Sequence, residues 1–572
     1  MLGVEGENIR EVEISNIQKP WLKFYDEGVR SSIDYPVIPL YKLYENTANR
    51  FPNKIAFDFF GTKWTYQQVF DASKKLRAFL EQEGVQKGDR VAVSLPNTPH
   101  YFIAVSAITS LGAIVVQCNP IYTARELKHA VTDSEAKILI GLDGAYNNYR
   151  PLIEEGLFQK VVIASIEDFL KFPKNILFRS FVKKKRFGEV NVDFNSEVIP
   201  WTKAMSYPKS DKEAEINPKE DVAVFQYTGG TTGLPKGAML THYNLVVNAH
   251  QVASWDPKSS PDDVYLGALP MFHSYGFTMA NSGFLIGGKF IPLPDPRDFD
   301  SYLKMIQKYK VTVFPGVPTM YIALLNHPDL KKYELGTVRT CISGAGALPV
   351  EVKRKWEEVT GGKIVEGYGL SEASPVTHCN PVYGLNKAGS IGIPMPDTIA
   401  VVVDDDGNIL PPGQVGELAI YGPQVMKGYW RMEDETARTL INGWLLTGDV
   451  ATMDSDGYFY IVDRKKDMIK AGGYNIYPRD IEEVLYEHPA VLEAAVIGVP
   501  DPYRGETVKA FIALRPEYKG KVTAEELEKF CRERLAPYKV PKLWEFRDEL
   551  PKSIVGKVLR RVLKEEELKK FK

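Results

Sequence analysis

Short β-rich runs alternate with helix-like segments along most of this chain, and that alternation limits the folds it can adopt. Between about residues 50 and 460, runs such as "KIAFDFF", "KILIGL" and "KVVIAS" are interleaved with segments such as "TYQQVFDASKKLRAFLEQEG". Strands separated by helices are typical of parallel sheets that are covered by helices. The chain has 572 residues, which is too long for one hydrophobic core. We therefore predict an α/β protein built from several compact units.

From Pro394 onward the pattern changes to short strands and tight turns, which predicts a small β-rich subdomain. The turns "DDDGN" and "DSDG" lack the D-x-D-x-D-G spacing of a calcium loop, so we interpret them as hairpin connections. Further along, charges of both signs and helical patterns return, as in "DIEEVLYEHP" and "TAEELEKFCRERL". In the second segment, Thr523 and Glu526 have the spacing of a capping box.

These changes in pattern predict a division of the chain. We expect a large N-terminal domain over residues 1–463, in which mainly parallel sheets are flanked by helices and joined by the β-rich subdomain. A charged linker would follow at 464–466. Residues 467–572 would then form a small α+β C-terminal domain.

The charge and the cysteine content exclude several classes of protein. Lys and Arg total 71 against 73 Asp and Glu, a net charge of -2, so no global basic surface exists to bind nucleic acid. The 4 cysteines are scattered and form no C-x-x-C pair, which argues against a zinc site or a disulfide framework. A reducing cytoplasm is the predicted location.

Two segments bear on targeting. The N-terminus carries acidic residues and no apolar core of a signal peptide. Residues 91–124 contain no charged side chain, but "LPNTPH" interrupts them, so a membrane span is disfavoured. We predict instead a buried strand, helix and strand: "VAVSL", "HYFIAVSAITSLG" and "AIVVQ".

A glycine-rich stretch, "YTGGTTGLPKGAML" at 227–240, has the composition of a phosphate-binding loop. Glycines let successive backbone N–H groups converge, threonine hydroxyls add donors, and Lys236 adds a positive charge. The stretch is not a Walker A motif, because Lys236 precedes Gly237 and no hydroxyl follows the lysine. Taken alone, it could also be an ordinary turn between two strands.

Other short stretches place polar groups at predicted strand ends. "SGAGALP" (343–349) and "EGYGLSEASP" (366–375) do so, and in the second Ser371 can bond a phosphate oxygen while Glu372 can bind Mg²⁺. Asp449 in "NGWLLTGDV" could accept hydrogen bonds from two sugar hydroxyls. A turn with solvated side chains explains each stretch equally well in isolation.

Together, in this order and spacing, these stretches resemble the adenylate-forming superfamily of acyl-CoA synthetases, luciferases and peptide-synthetase adenylation domains. The similarity runs from about residue 40 to the C-terminus and rests on "YTGGTTGLPKG", "GYGLSE", "TGD", "DRKKDMIKAGGYNIYP" and "PKSIVGKVLRR". It implies that a carboxylic acid displaces pyrophosphate from ATP, with Mg²⁺, and that a thiol then attacks the acyl-AMP. No G-x-S-x-G nucleophile is present or required.

The resemblance also implies roles for individual residues. Catalytic positions would be occupied by Lys557, Glu372, Ser371 and His273. Thr228 and Glu372 would contact the metal. ATP would be bound by Thr228, Gly229, Gly230, Thr231, Thr232, Gly233, Lys236, Gly344, Ala345, Gly346, Gly367, Tyr368, Gly369, Asp449 and Arg464.

In relatives the small C-terminal domain rotates between the two half-reactions. The resemblance therefore implies that 464–466 is a hinge and that the domain over 467–572 is mobile. Lys557 matches the lysine that bridges the acyl carboxylate and the α-phosphate during adenylation, and Lys466 matches the hinge position. Lys470, Gly472 and Gly473 would then face the pantetheine arm of CoA, the simplest acceptor. A hinge residue of this kind absorbs a large backbone change.

The acid is indicated by the segments "HSYGFTMANSGFLIGG" and "VFPGVPTMYIALL", which match the acyl-pocket region of the superfamily and are almost wholly apolar. Tyr275, Gly276, Phe277, Pro315 and Gly316 would line that pocket. The chain looks most similar to long-chain fatty acyl-CoA ligases. An aromatic-acid CoA ligase, a luciferase-like monooxygenase and a non-catalytic lipid- or nucleotide-binding relative stay open as alternatives, and the apolar segments could also be simple core.

One further segment, "KFPKNILFRSFVKKKRF" at 171–187, has seven basic residues and no acidic residue. Basic residues interleaved with apolar ones can bind an anionic membrane surface, which would make the protein peripheral on the inner face of the membrane. A solvated surface loop is the alternative. The oligomeric state is open, with monomer and homodimer both known among relatives.

Overall fold

The computed structural model describes residues 2–178, 191–228, 235–295, 297–465, 467–471, 474–553 and 558–570. The described helices are α1 (Leu40–Arg50), α2 (Tyr66–Gln82), α3 (Pro99–Ser110), α4 (Ala124–Ser134), α5 (Tyr146–Glu154), α6 (Lys174–Leu177), α7 (Trp201–Ala204), α8 (His242–Trp255), α9 (Ser274–Ile286), α10 (Phe299–Tyr309), α11 (Pro318–Leu325), α12 (Val350–Thr360), α13 (Glu433–Thr439), α14 (Pro478–Glu487), α15 (Ala524–Arg532) and α16 (Arg560–Lys570).

The described strands are β1 (Ile55–Phe59), β2 (Thr62–Thr65), β3 (Arg90–Ser94), β4 (Ile114–Gln117), β5 (Ile138–Leu142), β6 (Lys160–Ala164), β7 (Val198–Pro200), β8 (Val222–Thr228), β9 (Lys236–Thr241), β10 (Val264–Gly267), β11 (Lys289–Pro292), β12 (Thr340–Ser343), β13 (Lys363–Gly369), β14 (Val376–Cys379), β15 (Ile393–Pro394), β16 (Ile399–Val403), β17 (Gly416–Tyr421), β18 (Gly428–Tyr429), β19 (Leu440–Ile441), β20 (Trp444–Met453), β21 (Phe459–Arg464), β22 (Ile469–Ala471), β23 (Tyr474–Ile476), β24 (Val491–Asp501), β25 (Gly505–Leu514) and β26 (Leu543–Arg547).

The largest sheet has eight strands in the order β18-β9-β8-β4-β3-β5-β6-β7. The six strands from β8 to β7 are parallel to their neighbours, and only β9 and β18 are antiparallel. This confirms the α/β class with mainly parallel pairing. The carboxyl ends of β8, β4 and β3 therefore lie on one edge, which is where open α/β sheets bind their ligands.

Helix α3 follows strand β3 and is enclosed by its neighbours; its Phe102, for example, packs against Phe57 and Phe290. All twelve of its residues are buried, so the segment that lacks charges is an internal helix between β3 and β4, as the sequence predicts. A helix that is apolar on every side must be covered on every side. In the described ranges no helix combines the length and hydropathy that are needed to cross a bilayer.

A second set of strands lies beside the first. The orders are β10-β11-β1-β2 and β12-β13-β14-β15, with β12 parallel to β13. The segment "TVFPGV" (312–317) forms no regular strand between them, but Val313 makes isolated parallel bridges to Tyr265 and Thr340. Pro315 has no backbone N–H, which removes a donor that a continuous ladder requires.

The β-rich subdomain contains β16, β17, β19, β20 and β21, and its tight turns are held by their own aspartates. Asp404 accepts from the backbone N–H of Asn408 at 2.8 Å, and Asp454 accepts from that of Tyr458 at 3.0 Å. Gly407 and Gly457 have positive φ in these turns. The carboxylates thus close turns, and no cluster of three or more metal-ligating side chains occurs in the described residues.

The C-terminal part carries its own sheet, β23-β22-β25-β24, with β26 parallel to β25. Helices α14, α15 and α16 accompany it, which gives the mixed α+β composition that the sequence predicts. Thr523 caps α15 by accepting from the N–H of Glu526 at 3.4 Å. The domain limits and the hinge position stay predictions.

Candidate nucleotide and acyl site

The glycine-rich stretch connects two paired strands of the largest sheet. Thr228 is the last residue of β8 and lies opposite Lys236, the first residue of β9. The Thr228 hydroxyl donates to the Lys236 carbonyl at 3.4 Å. The predicted phosphate-binding residues Gly229, Gly230, Thr231, Thr232 and Gly233 lie outside the described residues. The described strand ends therefore form the base of the loop.

Lys236 contacts Glu435 and Tyr429, which the sequence analysis did not select, and Tyr429 connects it with Glu372. Its ammonium pairs with the Glu435 carboxylate of α13 and lies 5.1 Å from the centre of the Tyr429 ring. The Tyr429 hydroxyl in turn donates to Glu372 Oε1 at 2.8 Å. Burial, and then the Glu372 charge, raise the pKa of Tyr429, so this hydroxyl stays a donor at neutral pH.

Ser371 and Glu372 begin a short 3₁₀ turn directly after β13. The Ser371 hydroxyl lies 3.1 Å from the hydroxyl of Ser274, in the first turn of α9. This contact joins the predicted phosphate-binding motif to the predicted acyl segment. Sequence analysis placed both segments in one site, and the fold brings them into hydrogen-bonding distance.

The predicted metal residues, Thr228 and Glu372, are connected through Lys236 and Tyr429. Thr228 donates to the backbone carbonyl of Lys236, the Lys236 ammonium lies over the Tyr429 ring, and the Tyr429 hydroxyl donates to Glu372. Mg²⁺ commonly takes one or two carboxylates and completes its shell with water and substrate phosphates. The Glu372 carboxylate, near the base of the predicted phosphate-binding loop, fits that donor set.

Asp449 occupies a buried position at the junction of three strands. It is 5% exposed, accepts from the Tyr368 hydroxyl at 2.6 Å, and pairs with Arg464 Nε at 3.2 Å. Asp449 and Arg464 are cross-strand partners on β20 and β21. A carboxylate has about four lone-pair sites, so two of them stay available for hydroxyl groups of a sugar.

The glycines of the two strand-end motifs lie at adjacent positions. Ser343 and Glu366 are partners in the parallel pair β12 and β13, so Gly344, which directly follows β12, lies beside Gly367, which continues β13 and pairs with Cys379 of β14. A Cβ on Gly344 would lie 2.9 Å from the Tyr275 ring. The neighbouring Ala345, with φ of 64°, and Gly346 continue the turn, and Gly369 has no room for a side chain because a Cβ would lie 2.2 Å from the Pro375 carbonyl oxygen.

Two of the predicted acyl-pocket residues, Tyr275 and Gly316, contact strand β12. The Tyr275 hydroxyl donates to the Ile342 carbonyl at 2.8 Å, and Gly316 forms a parallel bridge with Ser343, next to Pro315. His273 caps α9 by accepting from the Tyr275 N–H at 3.3 Å. Gly276 lies against Pro270, and Phe277 is 1% exposed.

Comparison with known proteins decides the family. The model of the AMP-binding enzyme family matches residues 44–430, and that of the AMP-binding enzyme C-terminal domain matches residues 480–557. The chain belongs to the AMP-binding enzyme family. This confirms the resemblance that the sequence motifs indicate.

Relatives of this AMP-binding enzyme cover nearly its whole length. It is 49% identical to a long-chain-fatty-acid–CoA ligase of Bacillus subtilis (strain 168), over 96% of this chain and 98% of the relative. A protein of the same name from Escherichia coli O157:H7 is 39% identical, with coverage of 96% and 98%. Among solved structures, ATP-bound MatB from Rhodopseudomonas palustris has a TM-score of 0.81 at 31% identity, with coverage of 94% and 100%. The anthranilate CoA ligase AuaEII with anthranoyl-AMP has a TM-score of 0.84 at 25% identity, with coverage of 94% and 99%.

The C-terminal residues of the AMP-binding enzyme site are only partly described. Lys470 is exposed on β22, and its N–H donates to Glu506 at 2.8 Å. Lys466, Gly472, Gly473 and Lys557 lie outside the described residues, so their predicted roles stay predictions.

Sequence analysis missed Glu366, which precedes Gly367 in the "EGYG" motif. Glu366 is buried and accepts from the Leu348 N–H at 3.3 Å. Burial raises the pKa of Glu366 to about 7, although Arg479 and the Leu348 N–H oppose the shift. Its place one residue before Gly367, a predicted ATP-binding residue, was visible, but nothing in the sequence indicated that its carboxyl group would be enclosed.

Proposed function

We propose that this AMP-binding enzyme activates a long-chain fatty acid with ATP and transfers the acyl group to CoA. The observation that carries the proposal is the 3.1 Å contact between Ser371 and Ser274, because it joins the nucleotide motif to the apolar acyl segment. The long-chain-fatty-acid–CoA ligases that resemble the chain over almost its full length support the same reaction.

The chemistry proceeds in two balanced steps. An oxygen of the fatty-acid carboxylate attacks the α-phosphorus of ATP and pyrophosphate leaves, which gives acyl-AMP. The sulfur of CoA then attacks the acyl carbon, loses its proton, and AMP leaves. Bound Mg²⁺, held by Glu372, would neutralise phosphate charge.

The chain's own residues would bind and orient the nucleotide. Thr228 and Lys236 would hold the β- and γ-phosphates, and Ser371 the α-phosphate. Asp449, oriented by Tyr368 and Arg464, would accept from the ribose hydroxyls. Donors and acceptors fixed in advance stabilise the transition state because they need no reorganisation.

Lys557 would supply the charge that bridges the carboxylate and the α-phosphate. We expect Lys557→Ala to slow acyl-AMP formation by about 10²–10³, the usual cost of one such contact. The transfer of the acyl group from supplied acyl-AMP to CoA should stay close to that of wild type. Equal loss of both half-reactions in a rapid-quench assay would contradict this role.

The apolar character of the two predicted acyl-pocket segments supports an aliphatic acid as substrate. Tyr275 and Phe277 on α9 are buried, as are Val317 and Met320 on the neighbouring segment. An aromatic acid is the alternative substrate class, because the anthranilate CoA ligase AuaEII shares the fold. Its identity of 25%, against 49% for the Bacillus subtilis relative, favours the fatty acid.

Competition among substrates tests the proposal directly. The protein would be incubated with ATP, Mg²⁺, CoA and an equimolar mixture of C2 to C20 fatty acids and aromatic acids, and the products measured by mass spectrometry. We expect a cluster of long-chain acyl-CoA products. Aryl-CoA products would support the ligase reaction but contradict a fatty acid as the substrate. Formation of acyl-AMP without a thioester would contradict CoA as the acceptor.

We also propose a peripheral contact with anionic membranes through residues 171–187, of which 179–187 lie outside the described residues. In the described part, Phe172 and Ile176 are 77% and 54% exposed, next to Lys171 and Lys174. Each basic residue near an anionic surface contributes about 1 kcal/mol.

Sedimentation with phosphatidylglycerol vesicles at low salt tests this contact. We expect binding that falls several-fold in the variant with Phe172→Ser and Ile176→Ser. Phe194→Ser is the control, because Phe194 is 52% exposed outside this segment. An absence of binding, or an equal loss in the control, would contradict the contact.

A further inference from the structure

The ammonium group of Lys236 is bound by a carboxylate of the chain itself. It pairs with Glu435 Oε1 and lies 5.1 Å from the centre of the Tyr429 ring. The side chains of Lys236 and Glu435 are 24% and 30% exposed, so a group from solution can reach the pair. A carboxylate oxygen and a phosphate oxygen are both anionic acceptors, and an ammonium group donates to either. Glu435 therefore takes one of the places that a phosphate oxygen would take on Lys236.

The position of Glu435 is fixed by strand pairing. Strand β18 is antiparallel to β9, which begins at Lys236. Helix α13, which carries Glu435, is held against β18 because the Thr436 hydroxyl accepts from the Tyr429 N–H at 2.9 Å. A Cβ on Gly428 would lie 2.7 Å from Thr436 Cγ2, so this close approach of helix and strand requires glycine. The fold thus places the Glu435 carboxylate at the base of the predicted phosphate-binding loop.

Phosphate groups carry the same sign of charge as Glu435. If the β- and γ-phosphates of ATP bind Lys236, they approach a carboxylate that is already bonded to the same ammonium group. Two anions at one cation repel each other and share its attraction. Arg438, on the same helix, is 75% exposed and lies 4.0 Å from the other oxygen of Glu435, so it offsets this charge only weakly. Binding of phosphate must therefore weaken the pair of Lys236 and Glu435.

We propose that Glu435 competes with the terminal phosphates of the nucleotide for Lys236, and so limits the affinity of the enzyme for ATP and pyrophosphate. The inference rests on the role of Lys236 in the proposed function. Glu435 is a positioning residue in this scheme, because it touches no substrate and acts through the lysine. Pyrophosphate is the first product, so the same competition favours its release after acyl-AMP has formed. AMP has no β- or γ-phosphate and is not affected by the competition.

Calorimetric titration of the full-length protein with three ligands tests the proposal. The ligands are ATP with Mg²⁺, pyrophosphate with Mg²⁺, and AMP, each without fatty acid or CoA, so the measurement does not depend on which acid the enzyme activates. Glu435→Gln removes one charge and keeps the size of the side chain. Glu433→Gln is the matched control, because it removes the same charge from an exposed position of α13 and residues two apart on a helix do not share a face.

We expect Glu435→Gln to lower the Kd for ATP and for pyrophosphate about fivefold, the upper end for one partly exposed ion pair, and to leave the Kd for AMP unchanged. Glu433→Gln should change none of the three. Weaker binding of ATP by Glu435→Gln would show that Glu435 orients the lysine for phosphate, and would overturn the competition. An unchanged Kd for ATP, or an equal decrease in the Kd for AMP, would overturn it as well.

Lys236→Gln separates failure of this inference from failure of the proposed function. It should weaken the binding of ATP and pyrophosphate about tenfold, the usual effect of losing one charged hydrogen bond, and Glu435→Gln should add little to it. If Lys236→Gln weakens ATP binding but Glu435→Gln does not tighten it, only the role of Glu435 is wrong. If Lys236→Gln leaves ATP binding unchanged, the lysine is not a phosphate ligand and the inference fails with that assignment. Activation of an aromatic acid instead of a fatty acid would contradict the proposed substrate and leave the three Kd values, and this inference, as they are.

Discussion

The polar part of the site, around Asp449, and the apolar part, around Tyr275, are held in place by different interactions. Asp449 is fixed by directed bonds from Tyr368 and Arg464. Tyr275 and Gly276 are fixed mainly by close packing, because a Cβ on Gly276 would lie 2.1 Å from the Pro270 carbonyl oxygen. A directed bond can be removed with little movement of the backbone, whereas a close contact cannot be altered without displacing its neighbours. The two parts should therefore respond differently to substitution.

Loss of the Asp449 carboxylate should have the largest effect, and on activity rather than on folding. We expect Asp449→Ala to lower kcat/KM for ATP by about 10²–10³. The KM for the fatty acid should hardly change, and Asp449→Asn should lose less because its amide oxygen still accepts hydrogen bonds. Steady-state kinetics with each substrate varied in turn measure this. An equal rise in KM for the fatty acid would mean that the two parts of the site are not separate.

A side chain at Gly276 should act in the opposite way. We expect Gly276→Ala to lower the free energy of unfolding by about 3 kcal/mol, because the added methyl group meets backbone atoms that cannot rotate away. Gly336→Ala is the control, since a Cβ there meets nothing within 4 Å and its φ is ordinary. Urea unfolding of the two variants measures the difference. Equal stability would show that the acyl part is not held by packing.

The carboxyl group of Glu366 is buried, so its ionisation should lower the free energy of unfolding. Its pKa is raised from 4.5 to about 7 by burial, so the folded protein keeps a proton that the unfolded chain releases in this interval. Stability due to Glu366 should therefore fall as pH rises from about 4.5 to 7.

Glu366→Gln removes that titration. We expect wild type and variant to be equally stable below pH 4.5, and the variant to be more stable above pH 7 by on the order of 2 kcal/mol. Urea unfolding across this range, with both proteins in the same buffers, measures the difference. A difference that does not change with pH would contradict the buried charge.

Removal of one donor to Asp449 should have the smallest effect. Tyr368→Phe keeps the ring and removes the hydroxyl that bonds the carboxylate, a loss of about 1 kcal/mol or roughly fivefold in KM for ATP. Arg464 still orients Asp449 from the other side. Titration of ATP at saturating fatty acid measures the change. A loss as large as that of Asp449→Ala would show that Tyr368, and not Arg464, orients the carboxylate.

Features that depend on neighbouring residues were predicted well from the sequence. The strand, helix and strand from β3 to β4 follow from the length and apolar character of each run, and α2 lies within the segment "TYQQVFDASKKLRAFLEQEG" that was predicted to be helical. The glycine motifs were expected at strand ends, and the sheet places Gly344 and Gly367 there.

Contacts between distant segments were not predicted. The sequence contains Tyr429 and Glu435, but no local pattern connects them with Lys236 or Glu372, and none indicates that Glu366 is buried. Glu435 lies 199 residues from Lys236, and Tyr429 lies 57 residues from Glu372. Their roles depend on which strand ends meet, and that depends on the whole chain.

The sequence by itself determined the fold class, because strand and helix periodicity, helix caps and glycine turns arise from interactions between near neighbours. Its motifs determined the family through their resemblance to known members. The tertiary structure alone decided that Ser371 meets Ser274, that Glu372 meets Tyr429, and that Lys236 meets Glu435. Burial and charge pairing across long separations exist only after the sheets have assembled, so no local pattern can encode them.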